Sequence, residues 1–282
     1  AANPDAVEAG LAALRAGGDA VDAAIAVQTV LSLVEPQSSG IGGGAFMVHF
    51  DASTGEVNVY NGRERAPMDA KENLFINPET GAPYPYVEAW RSGLSTGAPG
   101  AIAMLHMAHA EHGELDWADN FTFAIDLAES GFEVAPRLHN ISQRMAGFTD
   151  MEETGPAASY LFDEAGQPWP VGHVLTNTDY ADSLRLIAED WRNFYEGDLA
   201  RAIVAAVNET PRPGYLTEAD LASYEPVKVD ALCSPYRDYQ ICSAPPPASG
   251  GIAVGAIMGM LETFDMSAHG PETPEGWALF IE

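Results

Sequence analysis

The chain of 282 residues carries 41 acidic against 13 basic side chains, a formal net charge of −28, with 46% hydrophobic residues. So acidic a field repels nucleic acid and anionic membranes and argues against both as partners. No apolar run approaches the roughly 20 residues that cross a bilayer, and the length suffices for a sizeable buried core.

In chain order, Pro4 to Ala16 reads as a first helix, with Pro4 in its opening turn and Gly17 and Gly18 closing it. Ala20 to Val34 reads as a second, N-capped by Asp19. Its apolar residues Val21, Ala24, Ile25, Ala26, Val30 and Leu33 mark a packed helix that also contains Asp22 and Gln28. Next comes EPQSSGIGGGAFMVHF, Glu35 to Phe50, where Gly40, Gly42, Gly43 and Gly44 crowd together. A phosphate loop needs its glycines after a strand and at the start of a helix, so that bare N–H groups face the anion. Here a helix precedes and a strand follows, and the two lysines, Lys71 and Lys228, lie far away. Close backbone packing, or a φ that glycine alone tolerates, is the reading this order favours.

AFMVHF, the turn DASTGE and VNVY form a hairpin over 45–60. The segment 61–97, with proline at 67, 78, 83 and 85, is expected to be irregular. Helical stretches follow near 99–112, 117–130 and 135–147, and GQPWPVGHVL reads as loop. NTDYADSLRLIAED is an amphipathic helix with Leu184, Ile187 and Ala188 on one face. Another helix runs from Gly197 to Asn208, and Thr217 with Asp220 makes a capping box. Two strands, near 227–233 and 237–243, lead to Gly250–Gly251, which open a further helix. PEGWALFIE breaks off after barely two helical turns, so residues 1–282 are expected to be a single, incomplete domain. Neither a linker nor an internal repeat divides them.

For chemistry, Cys233 and Cys242 flank SPYRDYQI and either face each other as a disulfide or remain buried thiols. His106 and His109 stand i, i+3 with no evident third ligand, so no metal is assigned, and no cofactor either. PQSSGIG is not the G-x-S-x-G elbow of a serine hydrolase. In GLSTGAPG, Ser95 and Thr96 sit in a turn, Thr96 reading as a helix-start residue before Pro99. No catalytic nucleophile is therefore expected in this chain. The residue singled out is Arg63, in YNGRERAPMDA, directly after a strand and on a loop. Its guanidinium fork suits a carboxylate, and Glu64 beside it could hold it or be held by it. A surface Arg–Glu pair of little energetic weight is the plainer alternative.

AGGDAVDAAIA, VEPQSSGIGGGAFMV, GRERAP, TGAPG, FYEG, LTEADLASY and APPPASGGI…LETFDM follow one another in the order and spacing of the γ-glutamyltranspeptidases, which the chain resembles over nearly its whole length. The resemblance implies an α+β fold of N-terminal-nucleophile hydrolase type, a four-layer αββα sandwich to which this chain supplies the large-subunit part. It implies a precursor that cuts itself into two subunits, a threonine nucleophile on the small one, and γ-glutamyl transfer or hydrolysis of glutathione and related compounds. No pair of adjacent threonines occurs here to match that nucleophile segment. By the same resemblance Arg63 grips the substrate α-carboxylate, with Glu64, Ala66 and Pro67 as its surroundings. Arg65 stands where the family pattern more usually has an apolar residue. The glycine loop and Pro245 to Gly251 match framework segments, the latter abutting the small subunit. A cephalosporin or glutaryl acylase, a poly-γ-glutamate depolymerase and a non-catalytic carboxylate-binding subunit are the alternatives. The resemblance also implies a periplasmic or secreted location, although AANPDAVEAG shows no signal-peptide core.

Overall fold

A computed structural model describes residues 1–149, 155–209 and 212–282. They fall into two compact units, Ala1–Ala45 with Gly62–Pro226, and Phe46–Asn61 with Val227–Glu282. Both helix and strand are present, and the α+β class is the one expected.

The first unit is mainly helical. Asn3 caps the helix Pro4–Arg15 by accepting the Asp5 N–H at 2.9 Å. That helix buries Ala6, Ala9, Gly10 and Ala13 against the helix Ala20–Val34. A Cβ on Gly10 would lie 2.8 Å from Val27 Cγ2, so the small-residue stripe is what lets the two helices approach. Asp19 accepts from the N–H groups of Val21 and Asp22, and Asp22 returns a carboxylate to the Asp19 N–H at 3.0 Å. The capping box is thus closed by a second aspartate.

Asp22 is also fully buried, and it accepts from the Glu114 N–H at 2.9 Å, the Leu115 N–H at 3.3 Å and Asn120 Nδ2 at 3.1 Å. Burial alone would raise its pKa, but these hydrogen bonds outweigh burial and hold the carboxyl below its usual value. One residue thereby closes a helix start and ties down a loop more than 90 positions away.

Around Ala20–Val34 pack the helix Ala101–His112 and the helix Thr122–Ser130, which in turn meets Thr178–Glu189. In the last of these Ala181 joins Leu184 and Ile187 in the core, while Ala188 is half-buried. The expected helix over 117–130 is a 3-10 run, Trp117–Phe121, that turns into the α-helix Thr122–Ser130. Val174–Leu175, inside the expected loop, pairs antiparallel with Phe132–Glu133. Within the expected irregular segment 61–97 lie a short helix, Tyr86–Trp90, and a 3-10 turn, Gly93–Ser95.

The strands Ala45–Phe50, Val57–Gly62 and Val227–Asp230 form one sheet with Val57–Gly62 central, and all of their residues but Ala45 and Gly62 belong to the second unit. Tyr60 faces Lys228 in register, and the ammonium lies 5.4 Å from the Tyr60 ring centroid. The expected strand pair 227–233 and 237–243 is in fact three strands. Val227–Asp230 joins the sheet, whereas Leu232–Tyr236 and Tyr239–Ser243 form a separate hairpin. Cys233 stands opposite Cys242 in that hairpin, and the two form a disulfide.

The helix Gly250–Leu261 packs on the hairpin, with Gly255 close to Ser234. Ile252, Val254, Ile257 and Met260 on this helix are exposed, as are Trp277, Phe280 and Ile281 on the helix Pro274–Ile281. No helix among the described residues is long and apolar enough to cross a membrane.

Candidate functional site

Arg63 follows the last residue of the strand Val57–Gly62. Its position is fixed by contacts with residues far along the chain. A Cβ on Gly62 would lie 2.5 Å from Met104 Cβ and 2.7 Å from the Gly100 carbonyl oxygen, and one on Gly100 would collide with the Tyr224 hydroxyl. The two glycines therefore let three backbone segments meet, and the Tyr224 hydroxyl donates to the Arg63 carbonyl at 2.8 Å.

Residues 64 and 65 are held in their own ways. Glu64 accepts the Gly44 N–H at 2.8 Å. Arg65 exchanges backbone hydrogen bonds with Ala98, at 3.1 and 2.8 Å. Its guanidinium donates to the Ser223 carbonyl at 2.7 Å and to the Ser223 hydroxyl at 2.8 Å. Further on, Asp220 accepts the Met68 N–H at 2.8 Å while closing the capping box with Thr217. LTEADLASY is therefore the segment that anchors GRERAP.

These residues line an open cavity of about 550 Å³, bounded by Gly42, Arg63 to Pro67, Ala70, Leu74, Phe75 and Leu94 to Gly97. The Arg63 side chain is 60% exposed and Glu64 40%, with Nε to Oε2 at 3.5 Å. At that exposure the pair contributes little stability. Burial is the main reason the Tyr224 phenol is pushed up to about 12, and Glu64 adds to this against the opposing pull of Arg65. Tyr224 is thus a fixed donor at neutral pH. Asp220 is held below its usual value, because Thr217, the Met68 N–H and Arg65 outweigh the effect of burial.

The glycine loop meets the site in two ways. A Cβ on Gly44 would come 2.6 Å from Glu64 Oε2, which is the close packing that the glycine spacing suggests. Gly42 has open space around it and forms part of the cavity wall. The Gly43 carbonyl accepts the N–H groups of Gly100 and Ala101, filling the start of the helix Ala101–His112 with a backbone oxygen. Thr96 is not that helix's start, since the helix begins at Ala101. It follows the 3-10 turn Gly93–Ser95 and lines the cavity.

Ser95 donates to the carbonyls of Trp90 and Ser92, at 2.7 and 3.0 Å, and so serves the turn. The histidine pair is also engaged in packing. His106 stacks on Trp191 with ring centroids 4.8 Å apart, and His109 Nε2 lies 2.9 Å from the Leu115 carbonyl. Burial pushes the His106 pKa down, with His109 and Arg192 acting in the same direction. No group of three or more potential metal ligands occurs among the described residues. Sequence reasoning missed Tyr224, Ser223 and Gly44 as parts of the site. The capping box at Thr217–Asp220 was the one local signal near the first two.

The class shown is an α+β scaffold with an exposed arginine on the wall of an open cavity. The gamma-glutamyltranspeptidase family model matches residues 6–282, and the chain belongs to that family. The glutathione hydrolase proenzyme of Bacillus subtilis is 33% identical over 284 residues, which cover 100% of this chain and 47% of that protein. The chain spans about half the length of the curated relatives it matches. Among solved structures, the gamma-glutamyltranspeptidase of Helicobacter pylori matches with a TM-score of 0.92 at 29% identity. That match covers 100% of this chain and 79% of the other. The cephalosporin acylase of Bacillus halodurans matches with a TM-score of 0.81 at 31% identity, covering 98% of this chain and 50% of the other.

Proposed function

We propose that the protein transfers or hydrolyses γ-glutamyl groups, glutathione among its donors, and that this chain supplies the carboxylate grip. Arg63 binds the α-carboxylate of the γ-glutamyl group through its fork, and Glu64 orients the guanidinium from the side. The observation that carries this reading is a 60% exposed arginine side chain on a cavity wall whose own peptide is tied down by Tyr224.

The nucleophile belongs to a small subunit cut from the same precursor, where a threonine hydroxyl attacks the γ-amide carbonyl with its free α-amine as base. Backbone N–H groups stabilise the oxyanion, and the acyl group passes to water or to an amino acid or peptide acceptor. The word proenzyme in the name of the Bacillus subtilis relative fits self-cleavage. The exposed apolar residues Ile252, Val254, Ile257 and Met260 are suited to the small-subunit contact, which would complete the four-layer sandwich as a single domain. The acidic surface is compatible with a periplasmic or secreted enzyme.

The likeness to a cephalosporin acylase favours a second reading, hydrolysis of glutaryl-type amides that lack the α-amine. The test is release of 4-nitroaniline from γ-glutamyl and glutaryl 4-nitroanilides by the full-length precursor, alongside its intact mass. Two polypeptides, the second starting with threonine, and preference for the γ-glutamyl compound support the first reading. Preference for the glutaryl compound replaces it with the second, and inactivity of an unprocessed chain on both leaves a non-catalytic binder.

A further inference from the structure

We infer that Tyr224, steadied by Arg65, is the positioning residue that sets the direction of Arg63, so that carboxylate affinity depends on a hydroxyl that touches no substrate. This rests on the reading of Arg63 as the carboxylate grip. Residues 63 to 65 are each held, Arg63 and Arg65 through the backbone and Glu64 through its side chain. Tyr224 donates to the Arg63 carbonyl at 2.8 Å, Gly44 donates to the Glu64 carboxylate at 2.8 Å, and Arg65 is bridged to Ala98. Arg63 meanwhile lines the cavity, with its side chain 60% exposed. A fixed backbone sets the origin and the Cα–Cβ direction from which the arginine extends, and bidentate recognition is sensitive to small shifts of that starting point.

The tyrosine is itself braced. The Arg65 guanidinium lies 5.6 Å from its ring centroid and donates twice to the neighbouring Ser223. The Tyr195 ring stacks on it at 5.8 Å and 10°. Gly62 and Gly100 leave the room that the hydroxyl occupies. The Arg65 guanidinium is thus engaged in this brace.

The experiment uses the full-length processed protein carrying Tyr224→Phe, Arg65→Met, Arg65→Lys or Arg63→Ala. Substrates are γ-glutamyl-4-nitroanilide and 4-aminobutyryl-4-nitroanilide, which lacks the α-carboxylate. Tyr224→Phe removes one neutral hydrogen bond, so KM for the γ-glutamyl compound is expected to rise about 3- to 10-fold with kcat held. Arg65→Met gives a similar rise and Arg65→Lys recovers part of it, while the loss on the decarboxylated substrate is absent. Equal losses on both substrates would mean a structural role alone and would overturn the inference, as would an unchanged KM in Tyr224→Phe beside a raised KM in Arg63→Ala. An unchanged KM in Arg63→Ala removes the carboxylate reading itself, and this inference with it.

Discussion

The Gly44 N–H donates to the Glu64 carboxylate at 2.8 Å, across 20 residues of sequence, and the same carboxylate lies 3.5 Å from Arg63 Nε. An added Cβ at position 44 would fall 2.6 Å from Glu64 Oε2 and 2.8 Å from the Gly62 carbonyl oxygen. The carboxylate can swing aside, but the carbonyl belongs to the strand end that carries Arg63. Gly44→Ala is therefore expected to cost about 1–3 kcal/mol by overpacking and to raise KM for γ-glutamyl substrates. Gly42→Ala, with nothing within 4 Å of its Cβ, is expected to leave stability unchanged. Urea unfolding of the two variants checks the contrast, and equal losses would refute it.

Asp22 gives a pH dependence whose sign follows from its environment. Its folded pKa lies below the unfolded one, so its contribution is fully present above the unfolded value near 4 and is lost as pH falls through the folded value. Asp22→Asn turns an amide N–H₂ towards backbone donors and is expected to cost about 3 kcal/mol at pH 7. Because the wild type loses its advantage on acidification, the difference between the two proteins should narrow below pH 4. Denaturation curves at pH 7, 5 and 3 read this directly, and a gap independent of pH would show that the carboxylate charge contributes nothing.

Much of the helical frame was legible because its signals are local. Asp19 followed by an alanine-rich apolar run announces the helix Ala20–Val34, and Thr217 with Asp220 announces its box. Glycine crowding signalled close approach without naming the partner, and Glu64 proved to be that partner at Gly44. What could not be read is what depends on distant pairing. Phe132–Glu133 and Val174–Leu175 are two residues long and show no period of their own. Tyr224 reaches Arg63 across 161 residues, and nothing in either local stretch marks the contact. Arg63 itself stood out by position, after a strand and in an acidic chain. The sequence left the state of Cys233 and Cys242 open, since only the register that sets them opposite each other decides it.

That cross-strand bond closes a loop of sequence separation 9. Loop-closure entropy for so short a loop gives an upper figure of about 2.5 kcal/mol. The hairpin turn already brings the two strands together, so the expected effect is smaller, about 1–2 kcal/mol. Cys233→Ser with Cys242→Ser should lower the unfolding free energy in urea by that amount, and added reductant should lower the wild type towards the double variant without affecting the variant. Intact mass before and after reduction, rising by two hydrogens, confirms the bond. A wild type whose midpoint ignores reductant while that mass shift occurs would mean that the bond is energetically idle.

Arg237 combines two opposing effects at the tip of the same hairpin. Its φ is +55°, a conformation that costs a residue with a Cβ about 1 kcal/mol or more. In return its guanidinium donates to the carbonyls of Glu262, at 3.1 Å, Leu261, at 3.4 Å, and Phe264, closing the end of the helix Gly250–Leu261. Its own N–H also donates to the Glu262 carboxylate at 3.0 Å. Arg237→Ala loses the cap and keeps the backbone strain, whereas Arg237→Gly loses the cap and sheds the strain. With the greater freedom of an unfolded glycine deducted, glycine should still be the more stable of the two by about 0.5–1 kcal/mol. Both should be less stable than the wild type, because helix-end carbonyls lose charged donors that are part-shielded from water. Alanine matching or exceeding glycine in urea unfolding would show that the strain at +55° is relieved by other means, and a wild type no more stable than either would remove the capping role.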